Sequence, residues 1–360
     1  MTPSATLHLM LRTVCLALCL ATASFAVRAD TQWRDTLRSQ IERIDQATPG
    51  QLGVYVKRLD SGEALAYQAD RSWYLGSSAK LPIAIAVLQE VEAGKLRLTQ
   101  KVSVQDTDKI DGSGNVVWQQ SGTAYGVDDL LKRMLMESDN TAANMLIRTI
   151  GEDTLNHRAR HYLGPKDFTR ITSFVQVRKE VYGELHPAAR TLSNQQLVEL
   201  AAAPLGPQRV DKLVRMLDID KTALRVKTME DAYARYYARQ LNSAPLTAYG
   251  DMLERLVTGR MVTPQHLQRL FKDLKYDSYD AYRLEKGLPR SARFIHKTGT
   301  QLGRACHMGV INPQDGGRAA IVVAVCAEDL DEHGDAPRAF EQVGRAIAQT
   351  ALQNVAGSPK

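Results

Sequence analysis

The alternation of apolar and polar positions divides the chain into a front hairpin, a long helical middle and a strand-rich C-terminal part. Trp33, Leu37, Ile41 and Ile44 recur at helical spacing and predict a helix over 33–44, closed by Pro49-Gly50. The period then drops to two: Leu52–Val56 and Ala64–Tyr67 read as strands around the Asp60-Ser61-Gly62 turn, a hairpin. Apolar Leu81, Ile83, Ile85, Val87 and Leu88 predict a helix over 78–92. Asp128–Met136 and Thr141–Ile150 are amphipathic helices, and Gly151 and Gly164 punctuate the chain beyond them. From Asp167 to Asn242 the pattern weakens to helical pieces at Ser193–Ala203, Val210–Leu217 and Met229–Leu241, with a Pro204-Leu205-Gly206-Pro207 breaker. Strand character returns at Ala292–Lys297, Cys306–Ile311 and Ala319–Cys326, before a last helix over Pro337–Leu352. There is no internal repeat. Strands at both ends of the chain with helices between them predict an α+β or α/β sandwich fold. In it, an antiparallel sheet of about five strands is flanked by helices and stands beside an all-helical subdomain.

The first 29 residues have a different pattern. Met1–Ala29 has no acidic residue, carries Arg12, runs apolar from Val14 to Cys19 and ends in Ala26-Val27-Arg28-Ala29. This predicts a cleavable signal peptide and a periplasmic or secreted protein. Its apolar core is shorter than the roughly 20 residues of a bilayer span, so no membrane anchor is expected after its removal. Residues 30–360 then form a single catalytic domain. Its sheet part covers about 30–78 and 260–360, its helical part about 79–259, with an extended insertion at about 167–242.

Composition and charge narrow the function classes. The 360 residues are 44% hydrophobic, with 46 Lys+Arg against 40 Asp+Glu, an ordinary globular balance. Basic and acidic residues alternate along most helices rather than forming a stripe, which excludes a nucleic-acid binder. Histidines are few and scattered, without metal-ligand spacing, so no metal and no cofactor are expected. Outside the signal two cysteines remain, Cys306 and Cys326, on successive predicted strands. A register in which paired positions sum to 632 would set them opposite each other for a disulfide, while a slip of one residue would leave two buried thiols.

Three short motifs carry candidate chemistry. Ser77-Ser78-Ala79-Lys80 is the one Ser-x-x-Lys in the chain and opens a helix. Residues three apart share a helix face, so the Lys80 amine can reach the Ser77 hydroxyl and take its proton. Ser138-Asp139-Asn140 lies at the break between two helices, where Ser138 could pass a proton to a leaving nitrogen and Asn140 could donate to a substrate amide. Lys297-Thr298-Gly299-Thr300 ends a strand, where the ammonium and hydroxyls could hold a carboxylate and the Thr300 N–H complete an oxyanion hole. Each motif alone reads more readily as a helix cap or a strand end. The order and context of all three together point to acyl transfer.

On these motifs the chain resembles the class A serine β-lactamases and the penicillin-binding D,D-peptidases. The resemblance covers most of the chain after the signal: the early hairpin, Gly76–Pro82, Ser138–Leu146, Asn242–Pro245 with the helix to Gly259, and Lys297 through the last helix. It implies a β-lactamase/D,D-peptidase-like fold with the active site between sheet and helices, and a monomer. Carried over by position, Ser77 would be the acylated nucleophile, Lys80 its base and Ser138 the proton shuttle. Asn140, Lys297, Thr298, Gly299 and Thr300 would bind substrate. The substrate would be a small β-lactam, hydrolysed through an acyl-serine intermediate. The alternatives are a cell-wall peptide in a D,D-peptidase and a penicillin-binding sensor or scaffold that does not turn over. Two departures stand out. The deacylating glutamate pattern of class A enzymes is missing, leaving Glu180, Glu184 and, nearest in spacing, Glu230 as possible deacylation bases. At the cleft mouth, Ile110-Asp111-Gly112-Ser113-Gly114 replaces the usual aromatic, which predicts a more open or differently lined entrance. A further stripe, Tyr233, Tyr236 and Tyr237 with Arg235 and Arg239, reads as one helix laying tyrosines on a core.

Overall fold

The computed structural model describes residues 32–164 and 168–353; the segment read as a signal peptide lies outside the described residues. Its strands are β1 (Gln51–Arg58), β2 (Ala64–Tyr67), β3 (Ser72–Tyr74), β4 (Lys101–Ser103), β5 (Ala124–Gly126), β6 (Ser243–Pro245), β7 (Phe294–Gln301), β8 (Arg304–Ile311) and β9 (Ile321–Glu328). Five of them form one antiparallel sheet in the order β2-β1-β9-β8-β7, so the front hairpin meets the C-terminal strands as expected. β3 pairs with β6, and β4 with β5, in two small ribbons.

The main sheet is covered on both faces, which explains why β9 reads Ile-Val-Val-Ala-Val-Cys-Ala without a polar alternate. Ile321, Val323 and Val325 face a layer built from the 32–47 helix (Trp33, Leu37, Ile41, Ile44) and the Asp335–Gln349 helix (Phe340, Val343, Ile347). Val322, Ala324 and Cys326 face the other layer, where the helices Lys80–Glu92 and Leu246–Val257 pack. The Lys80–Glu92 helix is apolar nearly all round because it is the central helix, with ten buried residues in thirteen.

The stretch from 174 to 241 builds a core of its own. Val177, Val181, Tyr182 and Leu185 meet Leu197, Leu200, Val210, Leu213, Met229, Tyr233 and Tyr236, with Tyr74 and Ile110 joining from outside. The tyrosines of the 233–237 stripe are therefore core residues, and Arg235 is exposed. The helices Glu152–Leu163 and Phe174–Leu185 are among those the apolar pattern did not predict. The second carries its buried residues at helical spacing, but Arg178, Lys179, Glu180 and the helix-weakening Gly183 dilute the pattern. The Lys297-Thr298-Gly299-Thr300 motif does not end its strand, contrary to the sequence-based expectation. The ladder continues through Thr298↔His307, Gly299↔Cys306 and Thr300↔Ala305 to Gln301.

Cys306 and Cys326 are directly opposed on β8 and β9, in the register summing to 632, and form a disulfide. Both are buried. The bond closes a loop with a sequence separation of 20, so the chain-entropy account gives it about 3 kcal/mol. The Cys306→Ala/Cys326→Ala protein is expected to lose about that much unfolding free energy, read as a lower urea midpoint. The same midpoint before and after removal of the bond would contradict it.

Candidate active site

The nucleophile candidate sits in a turn rather than in the α-helix proper. Gly76–Ala79 is a 3-10 turn and the α-helix starts at Lys80. This turn is pinned between β7 and the Leu246–Val257 helix. Ser78 is buried, its hydroxyl donates to the Lys297 carbonyl at 3.4 Å, and its carbonyl accepts from Tyr249 at 2.9 Å. Gly299 makes the approach possible: a Cβ there would stand 2.1 Å from the Leu75 carbonyl oxygen, so only glycine lets strand and turn touch. Ser77, by contrast, is half-buried, and Thr300 N lies 3.0 Å from where a Cβ on Gly76 would be. The two backbone segments expected to supply an oxyanion hole are thus adjacent.

Three side chains of the sequence motifs converge on the Lys80 amine. Lys80 Nζ is 3.0 Å from Ser77 Oγ, 3.1 Å from Ser138 Oγ and 2.7 Å from Asn140 Oδ1, and it also bonds the Ser138 carbonyl. Lys297 Nζ approaches Ser138 Oγ from the sheet side at 3.0 Å, so the hydroxyl lies between two amines. Ser138 holds a left-handed conformation, φ 57°. Asp139 follows it as the cap of the Asn140–Ile150 helix, accepting from Ala142 N at 2.8 Å and from Val116 N at 2.9 Å. The cap fixes Asn140, whose Nδ2 donates to the Asp111 carbonyl at 2.8 Å. An amide nitrogen has two hydrogens, so one remains for a ligand.

Electrostatics push both lysines toward their neutral forms. Burial, then Lys297 and Arg178, hold the Lys80 ammonium well below the ordinary lysine range, with Asp139 opposing. Burial, then Lys275 and Arg283, bring Lys297 down to about 7.

Several residues of this site went unread in the sequence. Arg283 is buried, and its guanidinium donates to the carbonyls of Gly299 (3.0 Å) and Cys306 (2.9 Å) and to Thr300 Oγ1 (3.0 Å). It fixes the end of β7 from behind. On the helical side the Phe174 ring covers Lys80 Nζ at 4.5 Å, and Arg178 pairs with Asp111. The segment read as the entrance loop is therefore lined by an ion pair in place of the aromatic.

The glutamate candidates do not join this group. Glu230 is exposed in the first turn of the Met229–Tyr237 helix, and no hydrogen bond or ion pair ties it to the site among the described residues. Glu180 accepts from Gln176 at 2.7 Å and pairs with Arg190 and Arg239; burial works against its charge, but these bonds keep its carboxyl below the usual range. Glu184 pairs with Arg190 at 3.2 Å. The reason is local: the apolar stripe of the Phe174–Leu185 helix faces inward and carries its glutamates to the arginine-rich side. Among the described residues no carboxylate hydrogen-bonds Ser77, Lys80 or Ser138, and no group of three His, Cys, Asp or Glu could hold a metal ion.

Comparison with known proteins places this geometry. The β-lactamase enzyme family pattern matches residues 36–351. The chain belongs to the β-lactamase enzyme family. It is 29% identical over 131 residues to β-lactamase SME-1 of Serratia marcescens, an alignment covering 36% of this chain and 44% of that protein. Such alignments span about half the length of the curated relatives. Among solved structures, a β-lactamase from Xanthomonas campestris superposes with a TM-score of 0.64 at 21% identity, over 89% of this chain and 98% of that one. PBP-A superposes with a TM-score of 0.63 at 17% identity, over 86% and 95%. These two likenesses show that the α+β fold, an antiparallel five-stranded sheet with helices, is shared with both structures.

Proposed function

We propose that this protein is an exported serine hydrolase that opens β-lactams by acylating Ser77. The observation that carries the reading is the placement of Lys80 Nζ within 3.1 Å of both Ser77 Oγ and Ser138 Oγ. Two of its four neighbours, the Ser138 carbonyl and Asn140 Oδ1, have no hydrogen to give. A neutral amine spends its two N–H bonds on them and turns its lone pair to Ser77. Lys80 then takes the Ser77 proton while Oγ attacks the lactam carbonyl. The backbone amides of Ser77 and Thr300 hold the oxyanion, and Lys297 with Thr298 holds the substrate carboxylate. As the C–N bond breaks, the proton passes from Lys80 through Ser138 Oγ to the departing nitrogen. Water attack on the ester reverses the proton path, again with Lys80 as base, because no carboxylate among the described residues hydrogen-bonds Ser77, Lys80 or Ser138. The N-terminal segment of 29 residues supports export, and among the described residues no helix is long and apolar enough to cross a membrane.

The lack of a carboxylate hydrogen-bonded to these groups among the described residues also favours a second reading, a D,D-peptidase on cell-wall peptides, which uses the same acylation and needs no dedicated deacylating group. Mixing the purified protein with a chromogenic cephalosporin tests both. The expected result is a burst of one equivalent followed by sustained slower turnover. Product that stops at one equivalent, together with D-alanine release from a D-alanyl-D-alanine peptide, would transfer the assignment to the peptidase.

A further inference from the structure

We propose that Arg178 is a specificity-determining latch that ties together the two rims of the cleft and limits the acylamino side chain a β-lactam can carry. This rests on the acyl-Ser77 reading. Arg178 stands one helical turn after Phe174, whose N–H is held by Asn144 Oδ1 at 2.8 Å and whose ring covers Lys80. Its Nε donates to both oxygens of Asp111, at 2.9 and 3.1 Å, and its Nη1 to Gln301 Oε1 at 3.4 Å. Asp111 belongs to the entrance loop and Gln301 is the last residue of β7, so one side chain spans from the helical rim to the sheet rim. Neighbouring contacts hold the far end in place: Gln301 Nε2 donates to the Tyr233 hydroxyl, and Tyr237 donates to the Leu302 carbonyl at 2.9 Å.

The latch is stiff and close to the substrate amide. The side chains of Arg178 and Asp111 are only 13% and 16% exposed, and separating a largely desolvated pair leaves each charge uncompensated. Asn140, the donor proposed for the substrate amide, already bonds the Asp111 carbonyl. Gly112 adopts φ +114°, and a Cβ on it would come within 2.2 Å of Asn140 Nδ2 and 3.8 Å of Arg178 Nη2. A ligand amide on the remaining Asn140 N–H therefore has its side chain turned toward the Asp111–Arg178 pair, with Gln301 closing the other side. A flat or slender group fits beneath such a fixed bridge, and a branched one requires the bridge to part.

The test compares two penicillins with one nucleus, one carrying a slender phenylacetylamino side chain and one a 2,6-disubstituted benzoylamino side chain. The wild-type protein is expected to favour the slender compound. Arg178→Ala, and independently Gln301→Ala, which keeps the buried charge pair, should each raise the bulky-to-slender ratio of kcat/KM about tenfold. The change should show mainly as a lower KM for the bulky compound. An Arg178→Ala/Asp111→Asn protein guards against misfolding from a stranded carboxylate and is expected to show the same shift. A residue that only supported the fold would depress both substrates together, so a ratio unchanged within about twofold in Gln301→Ala and the double variant would overturn the latch. A wild-type protein that forms no Ser77 adduct with either compound would instead overturn the acylation reading, and the latch with it.

Discussion

Ser77→Ala is expected to abolish covalent labelling by β-lactams and to lower turnover by about 10⁶-fold, the scale seen when the nucleophile of an acyl-transfer enzyme is removed. The neighbouring Ser78 gives the prediction its edge. It is one residue away and chemically identical, yet buried, with its hydroxyl committed to the Lys297 carbonyl and its own carbonyl to Tyr249. Ser77 is half-buried and lies 3.0 Å from the amine. Intact-mass spectrometry after a short exposure to benzylpenicillin should show one adduct in the wild type and in Ser78→Ala, and none in Ser77→Ala. Since Ser77 has no packing role comparable to that of Ser78, its alanine variant should melt within a few degrees of the wild type. An adduct that persists in Ser77→Ala would move the nucleophile elsewhere and end the proposed mechanism.

The sheet and the motif positions were legible because their causes are local. A strand buried on both faces, as β9 is, shows as an apolar run, and a hairpin announces itself by its turn residues. Ser77, Lys80, Ser138, Asn140 and Lys297 could be named because each sits at a fixed spacing inside a short motif. Phe174, Arg178 and Arg283 have no such spacing. Arg178 meets Asp111 across 67 residues of sequence, and Arg283 reaches carbonyls on two strands of the sheet. Backbone carbonyls are present at every residue and leave no trace in composition. The one available hint was an arginine set beside the apolar positions Val177 and Val181, with a lone aspartate in a glycine-rich loop upstream, and both have ordinary explanations on a helix surface. The glutamates failed for the complementary reason. Sequence distance to the Asn242–Pro245 segment says nothing about which side of a helix points to the cleft.

Lys80→Ala should slow acylation by about 10³- to 10⁴-fold while leaving the protein folded, the upper part of the range for loss of a general base. The pH dependence distinguishes a base from a mere support. Because burial, Lys297 and Arg178 depress its pKa, Lys80 is neutral over a wider pH range than a free lysine, and acylation falls only when pH drops through the depressed value. Below it, the rate should lose about tenfold per pH unit, one protonation blocking one lone pair. Lys297→Ala removes the cation that most disfavours the Lys80 ammonium, so the Lys80 pKa must rise and the acid limb must move to higher pH. Lys297 itself titrates at about 7, and losing its charge weakens carboxylate binding, an effect confined to KM. Single-turnover acylation at saturating β-lactam isolates the Lys80 limb from that effect. An acid limb that moves to lower pH in Lys297→Ala, or a Lys80→Ala protein that acylates within tenfold of the wild type, would show that the proton of Ser77 leaves by another route.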